Sequence, residues 1–351
     1  MIKRFYIIIS LLSCIFVLEA KLNWAAYPAG GFSDETGISI GALSYLRFLP
    51  DIPDSTVRYN SLYVLAKYTT KKQFELSLRP ELFWDNGNNK FSANIEFERW
   101  PTKYYGIGNE MDFDNWEKYT PETYYIDLEI SRRVFANLSI SALSDIKTFE
   151  VVKNVEPSEL AIYNDFTLVS GLGIGLTWDS RNGQYYPTKG IFGKYTLQVF
   201  DELWGTDYEF SQQLLDLRQY LAVTRQSVLS WQFITGISGG EVPYYKLFRL
   251  DKDMRGIPAN LHRDKNFSVL RSEYKIFPWH GYYTGKIGFA GFLEFGSVFD
   301  QIEKYQLIQN KINYGAGFRY TILPGDKLNF RVDAGFGENG MQLTIMGTEE
   351  F

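Results

Sequence analysis

The sequence predicts an all-β protein, a transmembrane antiparallel β-barrel. Three observations predict this fold: apolar and polar side chains alternate over long segments, aromatic residues make up 17% of the chain, and no long apolar run follows residue 20. Tyr and Trp concentrate where a protein surface meets both lipid and water. The mean hydropathy of −0.21 also fits strands that alternate between lipid-facing and water-facing side chains. The net charge of −5, with no basic stripe, argues against a nucleic-acid partner.

Residues 1–20 read as a cleaved signal peptide and are left out of the fold prediction. Lys3 and Arg4 form a positively charged start, residues 5–18 are largely apolar, and Ala20 is a small residue suited to cleavage. The apolar stretch is too short to predict a spanning helix. Cys14 leaves an alternative open, because the residues before it faintly resemble a lipoprotein cleavage site.

Residues 21–351 are expected to form one outer-membrane barrel domain. Cys14 is the only cysteine, so this region contains no disulfide and no thiolate-bound metal. No run of 18 apolar residues occurs in it, which excludes membrane-spanning helices. A closed barrel is then the only spanning structure that satisfies its own backbone hydrogen bonds.

Alternation with a period of two is clear in four segments, at residues 91–98, 124–131, 168–179 and 328–336. It places successive side chains on opposite faces of a sheet. A soluble β-sandwich would show the same alternation. Segment length favours the barrel, because these segments run to about ten residues or more and globular strands average about 5–6. The polar faces also carry full charges, as a wet lumen would: Glu75, Arg79, Glu96, Asp127, Asp216, Arg218, Arg271 and Glu273.

Fifteen strands are predicted, and the even number usual in single-chain bacterial barrels raises the expected total to sixteen. The missing strand is expected at Leu22–Tyr27 or within Trp100–Asn115. The fifteen lie near residues 37–48, 57–68, 73–84, 90–100, 123–135, 137–149, 166–179, 190–200, 206–220, 226–237, 267–277, 286–299, 312–323, 327–337 and 341–351.

The stretch from Gly171 to Gly190 carries the first motif. It resembles the BamA/TamA outer-membrane assembly superfamily, also called the bacterial surface antigen family. In that superfamily a strand ends in an Asp-x-Arg turn, and an aromatic-Pro-Thr-x-Gly sequence begins the next strand. The matching residues are Asp179, Arg181, Tyr186, Pro187, Thr188 and Gly190. Pro and Gly punctuate a tight turn, and an Asp side chain can accept hydrogen bonds from turn amides.

The second motif is Met254-Arg255-Gly256-Ile257, inside a connection of about 30 residues. Connections this long are usually functional or disordered. The motif resembles the family's Val-Arg-Gly-Phe, with Ile257 in place of the usual aromatic. The resemblance implies an extracellular loop that folds back and plugs the lumen.

Two later strands carry the third and fourth motifs, at residues 291–296 and 330–335. Alternation turns Glu294 and Asp333 away from their apolar neighbours. The resemblance implies that Arg255 pairs with Glu294, Asp333 or both inside the barrel. A buried guanidinium needs such partners, because an unpaired buried charge is costly. The pairing could be structural, fixing the loop, or could take part in gating.

The last motif is the C-terminal strand, residues 341–351. Leu343, Ile345 and Phe351 share one parity, and the chain ends on an aromatic. In the family a terminal Phe is the signal that delivers a barrel to the assembly machinery. Together the motifs cover residues 171–351 in family order, whereas the N-terminal half has the alternation without a motif.

The resemblance implies a location in the bacterial outer membrane and a non-enzymatic role in assembling or translocating outer-membrane proteins or lipids. Outer-membrane lipids, client barrel proteins and periplasmic or outer-membrane assembly subunits are the implied partners. Only about sixteen residues separate Ala20 from the first clear strand, so the expectation is a member without periplasmic POTRA domains. A passive channel, or a structural barrel partner of a separate periplasmic protein, is the alternative.

Enzymatic readings find little support in the residues. No nucleophile constellation points to an outer-membrane phospholipase, and His262 and His280 lack companion ligands, so no catalytic residue, metal or cofactor is predicted. Gly171, Gly173 and Gly175 lie inside a strand, unlike a nucleotide-binding loop. They are expected instead to leave room for the infolded loop.

Overall fold

A computed structural model describes residues 21–33, 37–49, 60–154, 159–163, 165–183, 186–279, 281, 284–323, 328–346 and 349. In these residues the fold is all-β. The strands are β1 Lys21–Ser33, β2 Gly37–Leu49, β3 Asn60–Thr69, β4 Phe74–Trp84, β5 Asn89–Arg99, β6 Thr102–Tyr104, β7 Glu117–Phe135, β8 Leu138–Asn154, β9 Thr167–Asp179, β10 Gly190–Phe200, β11 Phe210–Ala222, β12 Ser227–Gly240, β13 Phe248–Arg249, β14 Arg263–Asp264, β15 Asn266–Ile276, β16 Ile287–Phe299, β17 Lys311–Leu323, β18 Leu328–Gly337 and β19 Gly340–Met346.

Short 3₁₀ helices lie in the connections, at Glu159–Tyr163, Glu202–Trp204, Tyr244–Lys246, Leu250–Lys252, Thr284–Lys286, Ile302–Lys304 and Leu307–Gln309. In the described part of the chain, no helix is long and apolar enough to cross a membrane.

Sixteen of the described strands are long, and they correspond to the sixteen expected. β1 is the additional strand and covers Leu22–Tyr27, the first of the two predicted positions. The second position, Trp100–Asn115, contains only the three residues of β6. β1 therefore corrects the view that the first strand begins near Gly37.

The long strands form one antiparallel sheet, in which each strand pairs with the next along the chain. β6 adds to one end of β7. The only other sheet among the described residues is the two-stranded pair β13–β14. One continuous sheet, rather than two packed sheets, removes the sandwich alternative.

The two faces of the sheet differ as the alternation predicts. On one face apolar side chains are exposed, and Ile174 of β9 has an exposed fraction of 64%. The other face is polar and charged, and Glu294 of β16 and Asp333 of β18 are fully buried. Because those carboxylates are covered by a loop, the polar face is the inner one.

The two ends of the sheet also differ. At one end no connection exceeds ten residues, and those between β7 and β8 and between β11 and β12 are shorter still. The longest connections lie at the other end, and the one from β12 to β15 spans residues 241–265. Bacterial barrels place short turns in the periplasm and long loops outside. We call these the turn end and the loop end.

Candidate functional site

The connection at residues 241–265, which we call the lumen loop, folds as a hairpin against the inner face. Its stem is the pair β13–β14, with Phe248 opposite Asp264 and Arg249 opposite Arg263. Leu250, Met254 and Leu261 are at most 2% exposed, so the loop buries its own apolar residues. A loop that buries apolar side chains is held by the hydrophobic effect in the same way as a core element.

The lumen loop contacts strands from both halves of the sheet. On the N-terminal side, the Lys246 Nζ donates to Asp145 of β8 at 2.8 Å, and Asn260 Nδ2 donates to Thr102 Oγ1 of β6 at 2.8 Å. On the C-terminal side, Arg271 Nη1 of β15 donates to the Asp253 carbonyl at 2.7 Å. β6, β8 and β15 therefore surround one loop, and the sheet curves around it.

Arg255 lies at the loop tip and is the centre of the site. Its backbone N–H and its Nε both donate to Glu294, at 2.6 Å and 2.7 Å. Its Nη1 donates to Glu273 at 2.5 Å and to Asp333 at 3.1 Å. The guanidinium also stacks over the Phe292 ring, 3.5 Å from its centroid. These contacts bring both predicted carboxylates to Arg255 and add Glu273, which sequence reasoning listed as a lumen charge without giving it a partner.

The charges around Arg255 continue into a larger network. Arg319 of β17 donates to Asp333 at 2.5 Å and to Glu349 at 3.0 Å, and Arg331 Nη1 donates to Asp333 at 2.6 Å. Lys275 lies 3.4 Å from Glu273. We call this set the latch; its cations are Arg255, Lys275, Arg319 and Arg331, and its anions are Glu273, Glu294, Asp333 and Glu349. Four charges of each sign give it no net charge, which is the condition under which so many buried charges are tolerated.

Backbone contact at the loop tip is as close as the ion pairs. Gly256 has a φ of +86°, a conformation that favours glycine. A Cβ placed on Gly335 of β18 would lie 2.7 Å from the Gly256 nitrogen. Asn313 Nδ2 of β17 donates to the Arg255 carbonyl at 2.6 Å, and Ile257 is 9% exposed. The tip residues Met254, Arg255, Gly256 and Ile257 thus all lie against the inner wall.

The stem of the lumen loop carries its own charged groups. Burial alone would raise the pKa of Asp251, but the adjacent Arg249 guanidinium holds that pKa below its usual value. Burial, together with the positive charge of Lys311, lowers the pKa of His262 from 6.5 to about 4. Glu338, Glu110 and Asp251 also face His262 and oppose this shift. His262 is therefore neutral at neutral pH.

The first motif forms a structured turn between β9 and β10. Asp179 accepts two hydrogen bonds from the Arg181 guanidinium, each of 2.9 Å, and Arg181 lies over the Phe192 ring. Asn182 Oδ1 accepts from the Thr188 and Lys189 amides. Tyr186 and Pro187 are buried at this turn end. The contacts of the first motif are therefore those of a turn.

Gly190, the last residue of that motif, has a φ of +108°, and a Cβ there would press on the Ser180 carbonyl and on Arg181 Cα at 2.8 Å. The three glycines of β9 lie close to the neighbouring strands. A Cβ on Gly171 would lie 2.6 Å from the Phe200 ring, and one on Gly173 would lie 2.7 Å from Gln198 Cγ, both in β10. At Gly175 the nearest atom is Ser141 Oγ of β8. The glycines therefore leave room for neighbouring strands, and that they also leave room for the lumen loop stays a prediction.

The C-terminal motif is described only in part. Leu343 and Ile345 lie in β19 and are exposed on the outer face, whereas Phe351 lies outside the described residues. Glu349 has the same parity as these two residues, yet it is inside the latch. The simple alternation of a strand that continues to residue 351 therefore does not hold at Glu349. The signal peptide at residues 1–20 and His280 also lie outside the described residues.

No group of side chains suited to holding a metal ion occurs in the described ranges. The latch pairs its carboxylates with guanidinium and ammonium groups, so these carboxylates are engaged by cations of the protein itself. Chemically, the arrangement fixes a loop in place and keeps water out of one side of the inner face.

A sixteen-stranded antiparallel sheet wrapped around an arginine-anchored loop defines a class of protein, the outer-membrane β-barrels with an occupied lumen. The family comparison is more specific, because the Omp85 superfamily domain matches residues 56–322. The chain belongs to the Omp85 superfamily. This confirms the family resemblance predicted from the sequence motifs.

Among solved structures, the chain is similar to BamA from Haemophilus ducreyi lacking POTRA domains 1–3. The TM-score is 0.57 at 11% identity, over 93% of this chain and 68% of that chain. At this identity the similarity concerns the fold. The chain also matches Wzi, a carbohydrate-binding β-barrel involved in group 1 capsule assembly in Escherichia coli, with a TM-score of 0.33 and 9% identity over 95% of this chain and 84% of that one. That score is too low to carry an inference. No curated protein matches the chain in sequence.

Proposed function

We propose that the protein resides in the bacterial outer membrane and assists the assembly or translocation of outer-membrane proteins or lipids, without enzymatic chemistry. Its partners in this role are the membrane lipids, client barrel proteins, and periplasmic or outer-membrane assembly subunits. The observation that carries the proposal is the latch, which holds a loop inside the lumen of an Omp85-superfamily barrel. A simple pore needs an open lumen, whereas here the loop takes up the space on the inner face.

The lumen loop is supported by a second layer of contacts nearer the loop end. Tyr104, Tyr119, Phe149, Tyr163, Tyr244 and Tyr245 form part of one buried aromatic cluster between the loop and the wall. Phe149 and Tyr245 stack with their ring centroids 4.5 Å apart. Aromatic packing of this kind buries a large apolar area and excludes water. These contacts favour passage of a client strand or a lipid at the edge of the sheet over passage through the lumen.

The edge available for such a route lies between the first and last strands. β1 is the first strand and pairs with β2, and β19 is the last described strand and pairs with β18. Strand edges present unpaired N–H and C=O groups that can template pairing with another chain. We therefore place the seam through which a client strand or a lipid passes at β1 and β19.

The test is to lock this seam. Ala25→Cys in β1 is combined in turn with Gln342→Cys and Thr344→Cys in β19, and the purified full chain is reconstituted in liposomes. Insertion of a urea-unfolded small barrel protein is followed by its gel shift on folding. We expect oxidation to slow insertion about tenfold or more, with recovery after reduction, because the seam can then no longer open.

The matched control places a cysteine pair between strands that are not expected to separate. Leu215 and Thr235 are register partners in β11 and β12, so Leu215→Cys with Thr235→Cys forms a disulfide without touching the seam. Full activity in an oxidised seam variant would rule out lateral opening. A large steady conductance that is equal in the wild type and in Arg255→Ala would favour the passive channel instead.

A pull-down from native outer membranes separates the remaining alternative. A partner protein recovered in fixed ratio, together with no insertion activity of the purified chain, would favour a structural barrel partner.

A further inference from the structure

A pocket of about 670 Å³ opens among the connections at the turn end of the sheet. Three connections line it, those between β9 and β10, β11 and β12, and β15 and β16, together with the end of β17. Pockets of about 300–1,000 Å³ are the size that proteins use for small molecules and headgroups. The pocket borders the latch, because the Tyr186 ring of its lining lies 5.5 Å from Lys275 Nζ.

The lining is cationic in a chain that is acidic overall. Each of the three connections contributes one cation to the lining, Lys189, Arg225 and Lys286 respectively, and none of the described residues in the lining is Asp or Glu. The whole chain has a net charge of −5. A concave surface with charges of one sign concentrates ligands of the opposite sign. The polar part of the pocket therefore suits an anion.

Aromatic side chains form the apolar part of the pocket and connect it to the outer face. Tyr186 packs against Phe277 with ring centroids 5.5 Å apart, inside the small buried cluster at this end. Trp279 packs against Phe289 at 5.8 Å, and Phe289 is 43% exposed on the outer face of β16. Trp is enriched at the level of lipid headgroups. One lining residue, Trp279, thus connects the aromatic wall of the pocket to the lipid-facing surface.

We propose that this pocket binds the phosphate-bearing headgroup of an anionic phospholipid from the leaflet at the turn end. The inference rests on the proposed outer-membrane location, but not on the assembly activity. Lysine and arginine contact the phosphate, and the aromatic wall that continues to Phe289 accommodates the start of the acyl chains. An acidic protein segment would use the same cations but would have no need of that apolar continuation.

The test measures lipid binding to the full chain in nanodiscs, by native mass spectrometry of lipids retained on release. Nanodiscs contain equal amounts of phosphatidylglycerol and phosphatidylcholine. The variant Lys189→Gln, Arg225→Gln, Lys286→Gln removes the three cations, and the control Lys72→Gln, Lys118→Gln, Lys304→Gln removes three exposed cations at the loop end. Each cation near an anionic lipid changes binding roughly fivefold. We expect the wild type and the control to retain phosphatidylglycerol over phosphatidylcholine. In the pocket variant the ratio of the two retained lipids should fall by about tenfold or more.

Arg225→Gln alone, expected to lose about fivefold, keeps the test usable if the triple variant folds poorly, and the heat-dependent gel shift reports folding. Equal losses in the pocket and control variants, or no preference in the wild type, would overturn the proposal. Inorganic phosphate that competes as well as the lipid would indicate a free-phosphate site, and poly-glutamate that displaces the lipid would indicate an acidic protein partner; either result overturns the lipid assignment. Client insertion measured on the same samples shows separately whether the proposed function holds.

Discussion

Two walls of the same sheet use the same alternation to place charges on the inner face, but the charges have different surroundings. In β3–β5 the ion pairs are partly exposed. Lys67 lies 2.9 Å from Glu75, and Lys90 lies 2.7 Å from Glu81, with side-chain exposures between 13% and 29%. In β15–β18 the latch charges are linked to one another, and their side-chain exposures run from 0% to 4%.

The lumen loop makes the difference between the two walls. It covers β15–β18 and inserts Arg255 among their carboxylates, so charges that a wet lumen would solvate become buried. Exposed ion pairs contribute roughly 0–1 kcal/mol, whereas removing one partner of a buried pair costs about 3–5 kcal/mol. The same residue types should therefore respond very differently to substitution in the two walls.

The largest effect is expected for Arg255→Ala. It leaves Glu273, Glu294 and Asp333 with one cation fewer among buried groups, and we expect a loss of about 3–5 kcal/mol in the free energy that holds the loop in place. Limited trypsin digestion of the folded barrel should then cut within residues 241–265, where the wild type resists. The measurement is the urea concentration at which half of the loop becomes cleavable.

Arg255→Lys is the matched control, since it keeps the charge but loses the fork of donors that reaches several carboxylates. We expect the lumen loop of Arg255→Lys to resist trypsin less than that of the wild type and more than that of Arg255→Ala. Unchanged protection in Arg255→Ala would show that the loop is held by its apolar and aromatic contacts rather than by the latch.

Acid should weaken the loop through His262, on the order of 3 kcal/mol at most. Its folded-state pKa of about 4 lies below the unfolded value of 6.5, so the folded state resists protonation. The contribution of neutral His262 is fully present above pH 6.5 and is lost as pH falls to about 4. Hydrogen–deuterium exchange of peptides from residues 241–265, corrected for the intrinsic effect of pH on exchange, would follow the loop between pH 7 and 4.

In His262→Gln this pH dependence should flatten, because the titrating group is gone. Equal acid sensitivity in the variant and the wild type would assign the transition to carboxylates of the latch or the stem instead.

The sequence predicted the walls better than it predicted their contacts. Alternation located the strands because inward and outward positions differ in polarity, and the motifs pointed to Glu294 and Asp333 as partners of Arg255. Glu273 had the same inward parity as many other lumen charges, and nothing local showed which of them the loop tip would reach. Glu349 was not singled out, because it has the parity of the outward-facing Leu343 and Ile345, whereas it accepts hydrogen bonds from Arg319 and Asn329. Contacts of this kind depend on the path of the loop and tail in three dimensions.

A smaller effect, about 1–3 kcal/mol, is expected for Gly335→Ala. The new methyl group would press on the Gly256 backbone, which cannot move aside as a flexible side chain could. Gly291→Ala in β16 is the matched control, since a Cβ there has no other atom within 4 Å. Loop protection should fall in the first variant only, and equal behaviour of the two would mean that the loop tip does not rest on β18.

The smallest effect is expected in the other wall. Lys90→Ala removes one partner of Glu81, but both side chains are more than a quarter exposed and water can solvate the carboxylate. We expect the free energy of unfolding to change by less than about 1 kcal/mol. In high salt the variant and the wild type should differ even less, because salt screens exposed ion pairs. Urea unfolding at low and high salt measures both quantities. A cost close to that of Arg255→Ala would mean that burial by the lumen loop does not distinguish the two walls, and that lumen charges are costly to unpair wherever they lie.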